Sequence, residues 1–577
     1  MATATLAAPA GFGLDLSPAR PLWIARLSGE QVAMGRQHAA LVKGTPGWSE
    51  LIDYYARMPE MILGGARDGE GPTRIARAVR PLVAMSLRAL EGRRPRLLRA
   101  RSRAFFAGLG LPEETSRHVL AMDVLQNVIN LAGRFGHGPS RRIASRAVPA
   151  CTTLAVWGRA SATGEVLHAR NFDFPGSGVW ERHPAVVFCA PREGLRYGFV
   201  TTRGADVPGV SAFNEAGLCL TSHTRFHKDA SLIQGRGIVD LCHEIVRRAR
   251  TLDEALRIAR ARPAASTWGL VISSAAERRA FLLEITSRAV EVVEPRPGED
   301  FLANTNRYVS PSLQSGQVAP AAGFVKNSDG RLCVARAWGQ RGGLSVEDLG
   351  NFLASDEDPD VSGATRTAGG TVAQAITVHS VVIQPEAQAV HVSVGPVPTG
   401  QGPYVTVPWS WTGEPEAELI EPPEVFRPEP SDRELARAAY LEGARLQGAG
   451  GRHLEVEDAL LRAVEHDPED PSYRLLAGAY ALRRHDLQNA RAHFEAGLER
   501  ERSPFHRAQL LLWASRAAAI EGDREQAERL RGELLGSREP LAADYQAAAR
   551  REASRPFRRR ALRRVEVHLG FPDVFLG

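Results

Sequence analysis

Cys151 opens the run Cys151-Thr152-Thr153-Leu154-Ala155-Val156, immediately behind Pro149 and Ala150. A thiol at the head of a strand-like run, behind a rigid proline and a small residue, suits a processing site with nucleophilic chemistry at the same sulfur. Arg170, Asn171 and Asp173 lie at the end of the next strand-like run, residues 165–174. A hairpin turning at Ala160 to Gly164 brings that end beside Cys151, because neighbouring strands lie about 4.8 Å apart. From there Arg170 lowers the thiol pKa and favours thiolate, and the Asp173 carboxylate holds or orients a protonated α-amine. The plainer alternatives are a buried structural cysteine and a structural Arg170–Asp173 ion pair at a hairpin end. Cys189, Cys219, Cys242 and Cys333 read as core thiols. His168, His223, His227, His243 and His379 show no metal-ligand spacing and read as structural or surface residues, so no metal is expected.

The elements that must hold these residues follow from periodicity. Between Ala25 and Val148, apolar residues recur three and four apart over Gln31 to Lys43, Trp48 to Met58, Thr73 to Leu90 and Glu113 to Ile129. That spacing predicts a mainly helical leader, residues 1–150. From Cys151 the pattern shortens to β-rich runs broken by Gly and Pro. An amphipathic stretch from Gly237 to Ala261 follows, then strands at 268–275, 279–286 and 289–295, a helical stretch that includes Ser345 to Leu353, and a strand pair turning at Pro385 and Glu386. This order suits an α+β fold with an α/β/β/α sandwich over residues 151–412.

Residues 413–430 are rich in Pro and Glu and read as a linker. In residues 431–535, Val456, Leu460, Ala463 and Pro468 recur 34 residues later as Ala490, Phe494, Gly497 and Arg502, which is the tetratricopeptide (TPR) period. A looser third copy places Ser515 and Ala527 37 residues after Gly478 and Ala490, with His485-Asp486 and Gly522-Asp523 at turns. The alternative is an ordinary antiparallel helical bundle. Either form reads as a module for a protein partner, self-association or stability, and not as the chemical site.

With 577 residues, 44% hydrophobic and 24% charged, the chain has the composition of a folded protein of two or three domains. Its net charge of +6 owes much to Arg550, Arg551, Arg555, Arg558, Arg559, Arg560, Arg563 and Arg564 in the basic tail, residues 536–577. No nucleic-acid recognition motif accompanies that charge, so a solvated tail is the reading and nucleic acid is not an expected partner. Five cysteines, odd in number and without C-x-x-C pairs, argue against a disulfide scaffold. No run approaches the length of a membrane span and no secretory leader is recognisable, so a cytoplasmic location is expected.

Taken together, these residues resemble the mature catalytic chain of the N-terminal nucleophile (Ntn) hydrolase superfamily. Within it the chain is most similar to the acyl-coenzyme A:6-aminopenicillanate acyltransferase family, with choloylglycine hydrolases and acid ceramidase as relatives. The resemblance is carried by Cys151-Thr152-Thr153, by Arg170 ahead of Asn171-Phe172-Asp173, by Asn214-Glu215-Ala216-Gly217-Leu218, by Thr305-Asn306 and by the upstream segment Ser28 to Val42, and it spans residues 27–408. It implies a four-layered αββα fold and self-cleavage between Ala150 and Cys151 by an N-to-S acyl shift. It also implies that the freed α-amine serves as base for its own thiol, and that no cofactor is needed.

The resemblance makes Asn306 an oxyanion donor. It also calls for a late supporting arginine, for which Arg331 is the candidate and Arg336 the competitor. Thr224, flanked by Ser222 and His223, stands where the choloylglycine branch has an Asn, and Arg307 stands where the acyltransferase branch commonly has a His. Neither a bile salt nor a penicillin is therefore implied. Asn214 and Glu215 read equally well as a plain turn. The expected activity is a self-processing cysteine hydrolase or acyltransferase acting on a small-molecule amide or acyl donor. The alternatives are a lipid amidase or esterase of the ceramidase or phospholipase-B-like type and a catalytically silent adaptor built on the repeats.

Overall fold

The computed structural model describes residues 5–6, 20–51, 74–134, 150–174, 179–411, 413–422, 429–448, 453–564 and 567–570. Its strands in chain order are β1 (Thr5–Leu6), β2 (Leu22–Gly29), β3 (Ala150–Val156), β4 (Leu167–Asp173), β5 (Pro184–Pro191), β6 (Tyr197–Thr202), β7 (Ser211–Asn214) and β8 (Leu218–Thr224). They continue as β9 (Trp268–Ser274), β10 (Arg279–Ile285), β11 (Val290–Val293), β12 (Phe301–Asn304), β13 (Thr377–Gln384), β14 (Ala389–Ser393), β15 (Tyr404–Pro408) and β16 (Glu416–Ile420). One sheet has the order β1-β15-β14-β13-β4-β3-β12 and the other β11-β10-β9-β8-β7-β6-β5-β2-β16.

Alternation along the strands decides how the sheets stack, since successive side chains face opposite ways. Val186, Phe188 and Phe213 from one sheet meet Val381, Ile383 and Val390 from the other in a shared core. The opposite face of the larger sheet, with Val187, Phe199, Leu220 and Ile272, buries against the helices Gln31–Lys43, Arg96–Gly108, Ile238–Arg248 and Leu252–Arg260. The outer face of the smaller sheet, with Leu154, Val156, Leu167 and Val382, buries against Ala322–Arg341 and Val346–Leu353. The layers are therefore helix, sheet, sheet, helix.

The leader is not purely helical. Leu22–Gly29 is β2, parallel to β5 on one side and antiparallel to β16 on the other. Burial of residues 22–25 on both faces erased the alternation that would have marked it as a strand. Helices occupy Gln31–Lys43 and Arg74–Glu91, whereas the expected helix from Trp48 lies mostly outside the described residues. Glu113–Leu120 is a 3₁₀ turn that leads into the helix Ala121–Arg134. Part of the expected linker, Glu416–Ile420, is the edge strand β16, whose charged side chains face solvent.

Among the described residues the C-terminal part is mainly helical, with helices pairing as Asp432–Gly448 with His453–His466, Pro471–Arg483 with Leu487–Arg500, and Pro504–Glu521 with Arg524–Leu535. Residues at the repeat positions, among them Val456, Leu460, Ala490, Phe494 and Ala527, are buried. Gly478 lies against the Phe494 ring so closely that a β-carbon there would come within 2.6 Å of it. His485 and Gly522 take the left-handed conformation that ends a helix, and Asp486 and Asp523 cap the helices that follow. The basic tail is not wholly solvated. Its apolar residues Leu562, Val567 and Leu569 are buried in the core of this module, and Leu569 N–H donates to Gln447 at 2.8 Å.

Candidate active site

Strands β3 and β4 form the expected hairpin. Gly158 and Gly164 turn it with positive φ values of 50° and 74°, and the Gly158 N–H donates to Gly164 O at 3.1 Å. The register sets Cys151 opposite Phe172, Thr153 opposite Arg170 and Ala150 opposite Asp173. Period-two alternation then puts Cys151, Arg170 and Phe172 on one face and Thr152, Asn171 and Asp173 on the other.

On the first face Arg170 Nη2 donates to Cys151 Sγ at 3.2 Å and to Ser222 O at 2.9 Å, and Nη1 donates to Ser211 Oγ at 3.0 Å. On the second face Arg331, from the helix Ala322–Arg341, ties the site together. It donates to Cys151 O at 2.7 Å, Thr152 Oγ1 at 2.9 Å, Asn306 Oδ1 at 2.8 Å and Asn327 Oδ1 at 2.9 Å. Asn306, just beyond β12, accepts from the Cys151 backbone N–H at 3.0 Å and donates through Nδ2 to Thr224 O at 3.1 Å. The Asp173 carboxylate accepts from Thr377 Oγ1 at 2.6 Å and Gln374 Nε2 at 2.9 Å and lies 4.0 Å from Arg331.

The structure thus brings Cys151, Arg170, Asp173, Asn306 and Arg331 together, all of them buried. Arg336 is elsewhere, paired with Glu299 at 2.5 Å. Asn171 is fully engaged in holding the fold, donating to Leu353 O and Val372 O and accepting from Ser380. Asn214 accepts from the turn amides of Ala216 and Leu218 and donates to Val246 O and Ala249 O, which is the work of a turn.

Burial pushes the Cys151 thiol above its usual pKa, and the Asp173 charge adds to the rise; Arg170 and Arg331 pull it down without prevailing. The expected thiolate is therefore not the resting form, and the sulfur needs a base to take its proton. Burial also raises the Asp173 carboxyl, against Arg331, Thr377, Arg170 and Gln374. Cys189, Cys219 and Cys242 are core thiols, but Cys333 is exposed because it sits on the outer stripe of its helix, between the inward-facing Arg331 and Val334. His168, His223, His243 and His379 are buried with lowered pKa values, first from burial and then from nearby arginines. Among the described residues no group of His, Cys, Asp or Glu could hold a metal ion, and no helix is long and apolar enough to cross a membrane.

Cys151 lines a pocket that is partly open to solvent. Its wall is mostly apolar, with Phe172, Phe174, Trp180, Val210, Ile238 and Trp268 from the chain after Cys151 and Phe105, Phe106, Val119 and Met122 from the leader. The periodicity of the leader gave no sign of that second group's role, because pocket-facing and core-facing apolar residues look alike in a helical pattern.

One leader residue ties this wall to solution pH. Buried Asp123 accepts from Trp268 Nε1 at 2.9 Å and from the Ile238 N–H at 3.1 Å, and desolvation raises its pKa to about 7, with Asp240 adding to the rise and Arg94 opposing it. An unfolded Asp titrates near pH ~3.9. The folded state therefore holds this proton more tightly, so the stability it contributes is complete below pH ~4 and is lost as pH rises through about 7. Asp123→Asn, which keeps an acceptor for both donors, is expected to remove that loss. Urea midpoints at pH 5 and pH 8 should fall less for the variant than for the parent, and equal falls would refute the assignment.

No protein-family model and no curated protein matches the chain. Among solved structures it is similar to the Caenorhabditis elegans N-acylethanolamine-hydrolyzing acid amidase ortholog, with TM-score 0.29 and 13% identity over 41% of this chain and 93% of that one. It is also similar to a mutant of the conjugated bile acid hydrolase from Clostridium perfringens, with TM-score 0.29 and 13% identity over 48% of this chain and 99% of that one.

Proposed function

We propose that the chain is a self-processing cysteine amidohydrolase of the Ntn type that acts on amides of an apolar acyl group. The observation that supports this most is the hold on one residue: Cys151 has its sulfur on Arg170, its N–H on Asn306 and its carbonyl on Arg331, at the floor of an apolar pocket.

In processing, Cys151 Sγ adds to the Ala150 carbonyl carbon. The C–N bond breaks as the thiol proton passes to nitrogen, and water then hydrolyses the thioester to an Ala150 carboxylate, a free thiol and a free α-amine. In turnover the α-amine, held where Asn306 Oδ1 now accepts the N–H, takes the thiol proton as sulfur attacks the substrate carbonyl. Asn306 is assigned as the donor to the developing oxyanion, its Nδ2 exchanging the bond to Thr224 O for one to that oxygen. The proton leaves with the amine, and water resolves the thioester; an amine in its place makes the same site an acyltransferase.

The leader must stay bound after cleavage to keep its side of the pocket. Buried ion pairs serve this, Arg101 with Asp206 at 2.7 Å and Arg94 with Asp240 at 2.8 Å, together with β2 in the sheet. The repeat spacing and paired helices support reading the C-terminal helices as a TPR-like module.

A panel of N-acyl amides of increasing chain length tests the substrate class. With about 0.8 kcal/mol for each buried methylene, kcat/KM should rise about fourfold per added methylene until the pocket is full. A preference for acetyl or charged acyl groups would contradict it.

A further inference from the structure

Residues 355–376 run between the helix Val346–Leu353 and β13 as a strap anchored at two places. At its middle Arg366, buried, donates two hydrogen bonds to Glu501 at 2.6 and 2.7 Å, one to Ser472 at 3.2 Å and one to Asp358 at 3.2 Å. Beside it the Thr367 N–H donates to Asp470 at 3.1 Å and Tyr473 OH donates to Thr367 Oγ1 at 2.8 Å. Ala368 and Ala375 are buried in the core of the C-terminal helices. Asp360 adds a further tie, bonded both to Lys326, on the helix that carries Arg331, and to Ser503 of the C-terminal module.

Just before β13 the strap enters the reacting network. Val372 O accepts from Asn171 at 3.1 Å, and Ser355 O accepts from the Ala373 N–H at 2.9 Å, which closes the strap on itself. The Gln374 amide then does two things at once. Its Nε2 donates to Asp173 and its Oε1 accepts from Asn327, both at 2.9 Å, and Asn327 Oδ1 in turn accepts from Arg331 Nε. One buried side chain therefore fixes both the carboxylate beneath Ala150 and the asparagine that orients Arg331. Gln374 is buried, where the low dielectric makes the loss of either hydrogen bond costly.

We infer that Gln374 is a positioning residue for the Cys151 chemistry, and that the C-terminal helices hold it in place through the Arg366–Glu501 pair. This rests on Cys151 being the nucleophile. The C-terminal module is then a structural part of the active site and not only an appended surface for partners.

The test uses full-length Gln374→Leu, which keeps the volume and removes both hydrogen bonds, and Glu501→Gln, which removes the charge at the other anchor. Two rates are read on chains whose thermal melts show a folded state: first-order self-cleavage, and iodoacetamide alkylation of Cys151 as a function of pH. Arg170, Arg331 and Asp173 are the charges that Cys151 senses, so a displaced network shifts the alkylation midpoint. Both variants are expected to cleave at least about tenfold more slowly and to shift that midpoint, an effect sized to the loss of a hydrogen bond to a buried charge. Parent rates and a parent midpoint in either folded variant would overturn the inference, and Gln374→Leu alone decides it if Glu501→Gln does not fold. A parent chain that alkylates but neither cleaves nor hydrolyses amides would instead overturn the nucleophile reading, and the alkylation midpoint would still decide the role of Gln374.

Discussion

Cys151→Ala is expected to remain a single chain of 62.6 kDa and to lose amidase turnover by on the order of 10⁴-fold or more. Sulfur is the only atom at this site whose loss removes the nucleophile of both reactions, and without cleavage the α-amine that serves as base never forms. Folding should survive. The substitution deletes one buried sulfur, which costs about 1 kcal/mol or less when the site can relax, and Arg170 keeps its bonds to Ser211 and Ser222. The urea midpoint should therefore move little while processing and turnover vanish. Cleavage that persists in this variant would place the nucleophile elsewhere.

Arg331→Met is expected to damage stability and chemistry together. The fully buried guanidinium satisfies acceptors on Cys151, Thr152, Asn306 and Asn327 and lies near the Asp173 carboxylate. Methionine leaves those acceptors without a donor and the carboxylate with one charge fewer to face, a loss of about 3–5 kcal/mol for a broken buried pair. Arg331→Lys should recover only part of this, because an ammonium cannot reproduce a planar fork that reaches four residues. Denaturant unfolding of both variants, with cleavage followed on the same samples, checks the expectation. A Met variant of parent stability that still cleaves would remove Arg331 from the site.

How much of this was legible in the sequence depended on how far apart the partners lie along the chain. Cys151 and Arg170 are joined by one hairpin whose glycines mark its turn, so their meeting followed from strand spacing. The partners of Asp173, Gln374 and Thr377, arrive from about two hundred residues away through a strap with no periodicity, and nothing local announces them. The net shift of the thiol is not legible locally for a related reason: Arg170 lowers its pKa as expected, but the burial that outweighs this is a property of two stacked sheets. β2 and β16 were hidden by opposite effects. The first is buried on both faces and lost its alternation, and the second is an edge strand whose glutamates resemble a linker. In the C-terminal part Phe494 packs against Gly478, where a β-carbon would come within 2.6 Å of the ring.

The most direct test of the central claim is the intact mass of the purified full-length chain, with N-terminal sequencing of any fragment. Cleavage before Cys151 divides 577 residues into 150 and 427, so the account predicts species of about 16 and 46 kDa that elute together, the larger beginning Cys-Thr-Thr. A lone 62.6 kDa species that also fails to hydrolyse any N-acyl amide would contradict it.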